Sequence, residues 1–229
     1  EFRRVLFRST QLRYTLVSEG GSDRVLIPIL DWLLCNVFDQ HGSSAVPQGQ
    51  WADLGIIRTR DLGDKLAKAI DLYPCDLLFI HRDADNRPRE ERVAEIHAAV
   101  ESLSPEPRGA IAIVPVRMTE AWLLISEAAI RASANNRHGK APLQIPPIHS
   151  LESLSDPKGV LHDLLLQASE LTGRRRKAFN PYKKVHAITH EVEDFSPLRQ
   201  LASFQALESD LRDWLQGWLR SALTAPTSP

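Results

Sequence analysis

Cysteine is scarce: Cys35 and Cys75 are the only two in 229 residues. That is too few for a disulfide framework, and the two lack the close pairing of a structural zinc site, so a reducing cytoplasmic compartment is expected. Long apolar runs are missing too. None approaches the roughly 20 residues that cross a bilayer, and no membrane partner is expected. The opening Glu1-Phe2-Arg3-Arg4-Val5-Leu6-Phe7-Arg8 interrupts its hydrophobics with arginine too soon for a signal peptide. Residues 1–10, which do not begin with Met, read as a non-native sequence-assembly scar. Net charge of one sign is also absent. With 28 Lys and Arg against 29 Asp and Glu, no whole-molecule field draws the chain to nucleic acid or membrane, and any attraction must come from a local patch. What is present, 43% hydrophobic and 25% charged residues, excludes a disordered or fibrous chain and supports a sizeable core.

Hydrophobic periodicity divides the chain. Leu12, Tyr14 and Leu16 alternate as in a strand, which ends at Ser18-Glu19-Gly20-Gly21-Ser22-Asp23. Ser22 or Asp23 can cap a following helix with the stripe Leu26, Leu30, Leu33 and Val37, which Pro28 should kink or delay. A second strand is expected over Ala52–Thr59 and a helix over Asp61–Leu72. Asp76-Leu77-Leu78-Phe79-Ile80 reads as a strand buried on both faces, ending at His81-Arg82-Asp83-Ala84-Asp85-Asn86. Pro88 opens another helix, Ala110–Val116 forms a further strand, and a helix begins near Thr119-Glu120-Ala121-Trp122. Strands alternating with helices imply βαβ crossovers and a mainly parallel sheet over residues 11–134. Gly139 and three prolines mark residues 135–150 as a linker or surface loop. Residues 151–229 carry no convincing strand and form a C-terminal helical layer, with a helix over Leu161–Leu171 and a long one bearing Leu198, Leu201, Phe204, Leu207, Leu211, Trp214 and Trp218.

In parallel sheets, functional groups collect beyond the carboxyl ends of the strands. Glu19 follows the first strand, and Asp83 and Asp85 follow the buried one, so the three can meet. Clustered carboxylates repel one another unless protons or a divalent ion compensate, and hard oxygen donors suit Mg²⁺ or Mn²⁺. Glu19-Gly20-Gly21-Ser22-Asp23 and Asp83-Ala84-Asp85 resemble the Glu-Gly turn and Asp-x-Asp signature of the Toprim fold, shared by topoisomerases, bacterial primases and OLD-type nucleases. With Val116-Arg117-Met118-Thr119-Glu120-Ala121-Trp122-Leu123-Leu124 the likeness extends to a group of small bacterial Toprim-like proteins, some encoded near phage-defence genes. It covers roughly Leu12–Ile130, with a weaker echo in Ser196–Leu207.

The resemblance implies an α/β, Toprim-like Rossmannoid core carrying out Mg²⁺- or Mn²⁺-dependent hydrolysis of nucleic-acid phosphodiesters, with Glu19 as general acid or base and Asp83 and Asp85 holding the metal. Glu120, just past another strand end, is a plausible fourth carboxylate. A bound cation activates water while a neighbouring carboxyl moves the proton, which agrees with those roles. The chain is too short for a whole topoisomerase or primase. Two other classes stay open: a glycosyltransferase using Asp-x-Asp with Mn²⁺, in which Glu19 would have no task, and a non-catalytic module that binds an ATPase or other defence partner.

Simpler readings stand beside these. Glu19 and Glu120 also suit helix N-termini, Asp83 and Asp85 could be turn residues neutralised by Arg82, Arg87 and Arg89, and Asp23 could either assist the metal site or only cap. Arg174, Arg175, Arg176, Lys177, Lys183 and Lys184, interleaved with Phe179 and Tyr182 and with no acid among them, suit a nucleic-acid backbone; such a run can also be a solvated face. His186 and His190 have the spacing of a helical metal pair but lack the accompanying Glu, and read as surface histidines. His81-Arg82-Asp83 is not a kinase loop, since Pro88 stands where Asn is required, and Glu19-Gly20-Gly21 is not a dinucleotide fingerprint.

Overall fold

The computed structural model describes residues 9–55, 61–85, 87–105 and 107–224. Residues 1–8, part of the expected scar, and residues 56–60, which include half of the expected second strand, lie outside them. The architecture is α/β: β1 (Ser9–Val17), β2 (Ser44–Trp51), β3 (Leu77–His81) and β4 (Ala110–Ile113) form one parallel sheet in the order β2-β1-β3-β4. Helices α1 (Leu26–Gln40), α2 (Leu62–Leu72) and α3 (Arg89–Glu101) make the crossovers.

The sheet is buried on both faces, and the alternation of its strands decides which side chain goes where. Leu12, Tyr14, Leu16, Leu77, Phe79, Ile111 and Ile113 point into one core with the α1 residues Ile29, Leu30, Leu33 and Phe38. Val17, Leu78, Ile80, Ala112 and Val114 point the other way, onto Leu66 and Ala69 of α2 and Ile96 of α3. Because the chain leaves β1 toward β2 with α1 on one face and returns to β3 with α2 on the other, the strand order reverses between β1 and β3. The carboxyl ends of those two strands therefore flank the crevice where α/β sheets bind ligands.

Three local expectations need correction. The second strand is Ser44–Trp51 rather than Ala52–Thr59: β2 is an edge strand, half-buried to exposed along its length, so no apolar alternation is needed and Pro47 is tolerated. Only its register along β1, Ser9 opposite Ser44 through Leu16 opposite Trp51, defines it. The strand expected over Ala110–Val116 ends at Ile113, and the helix expected near Thr119 is a 3-10 turn, Thr119–Leu123, followed by α4 (Glu127–Ser133). Pro28 does delay its helix: a 3-10 turn, Gly21–Val25, precedes α1, and Pro28 falls in the first helical turn, where a backbone N–H has no partner to lose.

Among the described residues beyond β4 every regular element is helical: α5 (Pro157–Ala168), α6 (Gly173–Ala178), α7 (Tyr182–Glu191) and α8 (Ala202–Thr224), with 3-10 turns at Ile148–Ser153 and Ser196–Gln200. The stripe Leu198, Leu201, Phe204, Leu207, Leu211 and Leu215 is buried in the same core as β1, β3 and α1. Glu152 accepts hydrogen bonds from the N–H groups of Ala202 and Ser203, at 3.0 and 2.9 Å, and so caps the start of α8.

Candidate active site at the strand ends

The β3–β4 ladder continues past the formal strand ends and fixes the acidic turn. The N–H groups of Arg82, Ala84 and Asp85 donate to the carbonyls of Ile113, Pro115 and Arg117, at 3.1, 3.3 and 2.9 Å. Asp85 and Arg117, facing each other across the last of these bonds, both adopt left-handed backbone, with φ of 54° and 64°. Each such residue costs on the order of 1 kcal/mol or more, which the surrounding hydrogen bonds must offset.

At the centre lies His81, whose side chain is only 1% exposed. Its Nε2–H donates to Thr119 Oγ1 at 2.9 Å. Thr119 passes the connection to Asp83, whose Oδ1 accepts from the Thr119 N–H at 3.1 Å and from its hydroxyl at 3.4 Å. Asp83 Oδ1 also lies 3.2 Å from His81 Nε2. On the other side of the ring, Nδ1 faces Asp23 Oδ2 at 3.4 Å, close enough for an ion pair but not aligned for a hydrogen bond. Burial opposes a charge on His81, yet the two flanking carboxylates outweigh it and push its pKa up to about 9. Burial likewise works against the charge on Asp23, but His81, the Gly20 N–H and Ser18 hold that carboxyl below its ordinary value. At neutral pH His81 is thus a cation that clamps Asp83 through Oδ1; no hydrogen bond among the described residues engages Asp83 Oδ2.

The other expected acids gather on the same edge, each drawn to a cation. Glu19 pairs with Arg82, the neighbour of Asp83. Arg82 also donates to Glu95 at 2.7 Å, Glu95 accepts from Arg92 at 2.9 Å, and Arg92 reaches Asp85 at 3.2 Å. Glu19 and Asp85 are therefore the two ends of one alternating chain of charges. Burial opposes ionisation of Glu95, and its two arginines nevertheless hold its pKa below the ordinary value. Glu120 is largely buried and forms an ion pair with Lys158 of α5 at 2.9 Å. Asp83 lies near enough to help raise the Lys158 pKa, behind the leading effect of Glu120.

By type, these carboxylates fit a hard divalent ion. By placement, among the described residues no three His, Cys, Asp or Glu side chains converge on one point, because Arg82, Arg92 and Lys158 hold Glu19, Asp85 and Glu120. The expected common edge is thus present without a joint grip among the described residues, and the ionic partners of Asp83 and Asp85 are His81 and Arg92 rather than the expected Arg82, Arg87 and Arg89, Arg82 pairing with Glu19 and Glu95 instead. Two clefts open beside the turn. One, about 270 Å³, is lined by Glu19, Leu62, Lys65 and Arg82 among others. The second, about 380 Å³, places Arg87, Arg89 and Arg117 around Asp85 and Glu152.

The basic segment lies on α6 and the start of α7. Arg174, Arg175, Arg176, Lys177 and Lys183 are exposed and Lys184 is half-buried. None of the ion pairs among the described residues involves these six. Phe179 is half-buried against the core, whereas Tyr182 is exposed and meets His162 edge-on with ring centres 4.2 Å apart. Tyr182 also contributes to the field at Lys158, which places the segment's inner end beside the Glu120–Lys158 pair.

Sequence reasoning missed His81, Thr119, Glu95, Arg92 and Lys158 as site residues. A signal existed for His81 alone: a histidine ending an otherwise apolar buried strand must find polar partners. The others are brought in by folding from three separate segments. No family model, no curated protein and no solved structure matches the chain, so the Toprim likeness rests on the residues quoted for it.

Proposed function

We propose that the chain is a Toprim-like hydrolase of nucleic-acid phosphodiesters that depends on Mg²⁺ or Mn²⁺. The observation that supports this best is the gathering of Glu19, Asp83, Asp85 and Glu120 at the reversal of strand order, with Asp83 clamped by the His81 cation through one oxygen. In this reading Asp83, Asp85, Glu19 and Glu120 are the residues that would hold a divalent ion, which would activate water and neutralise charge on the phosphate. Arg82, Arg92 and Lys158 would have to release Glu19, Asp85 and Glu120 first. The arginine-lined cleft suits the phosphates next to the scissile one, and Arg174, Arg175, Arg176, Lys177, Lys183 and Lys184 suit the backbone beyond.

Purified protein with Mn²⁺ or Mg²⁺ is expected to cleave DNA or RNA, and Asp83→Ala and Asp83→Asn to abolish cleavage. Equal cleavage by the variants, or none by the wild type on either nucleic acid, refutes the reading. Charge reversal across Arg174–Lys177 should weaken nucleic-acid binding and flatten its salt dependence. One observation favours a second reading, the non-catalytic module: Glu19 and Asp85 already have their charge satisfied by arginine. Co-purification of an ATPase partner together with an absence of metal-stimulated cleavage would favour it.

A further inference from the structure

Helix α7 carries an exposed face that the strand-end site does not use. Tyr182, His186 and His190 recur every four residues, so they stand one above another on the same side, and all three are exposed. At one end Tyr182 is 64% exposed although His162 braces it, with Lys183 and Lys184 on the same turn. At the other end His186 and His190 line a cleft of about 380 Å³ with Gly21, Arg24 and Val25. Among the described residues no acidic side chain lines this cleft and no ion pair engages Arg24, His186 or His190. The Arg24 guanidinium is instead held over the Trp51 ring, 4.2 Å from its centre.

A guanidinium and two imidazoles around an acid-free cleft recognise an anion, and the planar donors of arginine fit a phosphate. Along the helix axis His186 and His190 stand about 6 and about 12 Å from Tyr182, so a ligand that engages both the cleft and the ring must carry a phosphate and a flat ring over a span of a few nucleotides at most. An aromatic face can stack only on a base that is not already stacked and paired in a duplex. We propose that α7 is a track for single-stranded nucleic acid, seating one backbone phosphate between Arg24, His186 and His190 and stacking an unpaired base on Tyr182. This rests on the nucleic-acid reading above and adds to it the strandedness of the substrate and the path it takes.

The test is fluorescence anisotropy with labelled oligothymidylate and oligouridylate of about a dozen nucleotides and with a duplex of the same length, with chelator present to prevent cleavage. Tyr182→Ala is expected to weaken single-strand binding at least about 5-fold and Tyr182→Phe to stay within about 2-fold, with the duplex indifferent to both. Arg24→Ala is expected to lower the slope of log affinity against log salt by about 1. If Tyr182→Ala and Arg24→Ala both bind single strands like the wild type while charge reversal at Arg174–Lys177 weakens binding, the track is wrong and the nucleic-acid reading survives. A wild-type chain that binds neither strands nor duplex overturns both.

Discussion

The charge on His81 is the most exacting consequence of the strand-end geometry. The imidazole is almost fully buried between Asp23 and Asp83, and its pKa rises from an ordinary 6.5 to about 9. That rise corresponds to about 3 kcal/mol of preferential stabilisation of the folded imidazolium. The lowered pKa of Asp23 reflects the same contact together with the Gly20 N–H and Ser18, and its pH dependence falls at acid pH, below this window. Below pH 6.5 the ring is protonated in folded and unfolded chains alike, and the stabilisation is fully present. Between pH 6.5 and about 9 the unfolded chain has lost the proton while the folded one keeps it, so stability falls as pH rises, by at most about 1.4 kcal/mol per pH unit. Above that window the contribution is gone. Urea unfolding of wild type and His81→Gln from about pH 6 to about pH 9.5 isolates the effect as the difference in slope, and the imidazole resonance missing from the variant assigns His81 in the NMR titration. A His81 that titrates at or below 6.5, or equal slopes in the two proteins, would mean that burial defeats the flanking carboxylates and that Asp83 is not clamped by a cation.

Two further substitutions probe the supports of the site. Thr119→Val removes both the acceptor for His81 Nε2 and the hydroxyl donor to Asp83, and should cost about 1–3 kcal/mol in urea unfolding; an unchanged midpoint would show that Asp83 alone satisfies the ring. Gly49→Ala would place a methyl against the buried Tyr14 side chain, whose hydroxyl is tied to the Ile27 carbonyl and to Asp31. It should lower stability by about 1–3 kcal/mol, read as a fall in thermal midpoint, and wild-type stability would refute the close approach of the β2 edge to Tyr14.

The parallel α/β core was legible because burial on both faces of a sheet leaves its mark on composition: Leu77-Leu78-Phe79-Ile80 can be little else than an interior strand, and Leu26, Leu30, Leu33 and Val37 repeat at the period of a helix face. From strand ends followed by Glu19, Asp83 and Asp85, the edge on which those acids lie could be read as well. The β2 edge strand was not legible, since a strand with one neighbour and solvent on much of its surface needs no hydrophobic alternation, and only pairing with β1 selects Ser44–Trp51. Nor could the sequence state what each acid touches. Arg82, Arg92 and Lys158 compete with any metal for the same oxygens, and that competition is decided over distances of a few ångströms between side chains from the turns after β1 and β3, the 3-10 turn after β4, α3 and α5. Sequence alone determined periodicity, and with it the layers and the edge on which the acids lie; tertiary structure decided the electrostatic partners, because a charge is neutralised by whatever folding brings within reach and not by its neighbours along the chain.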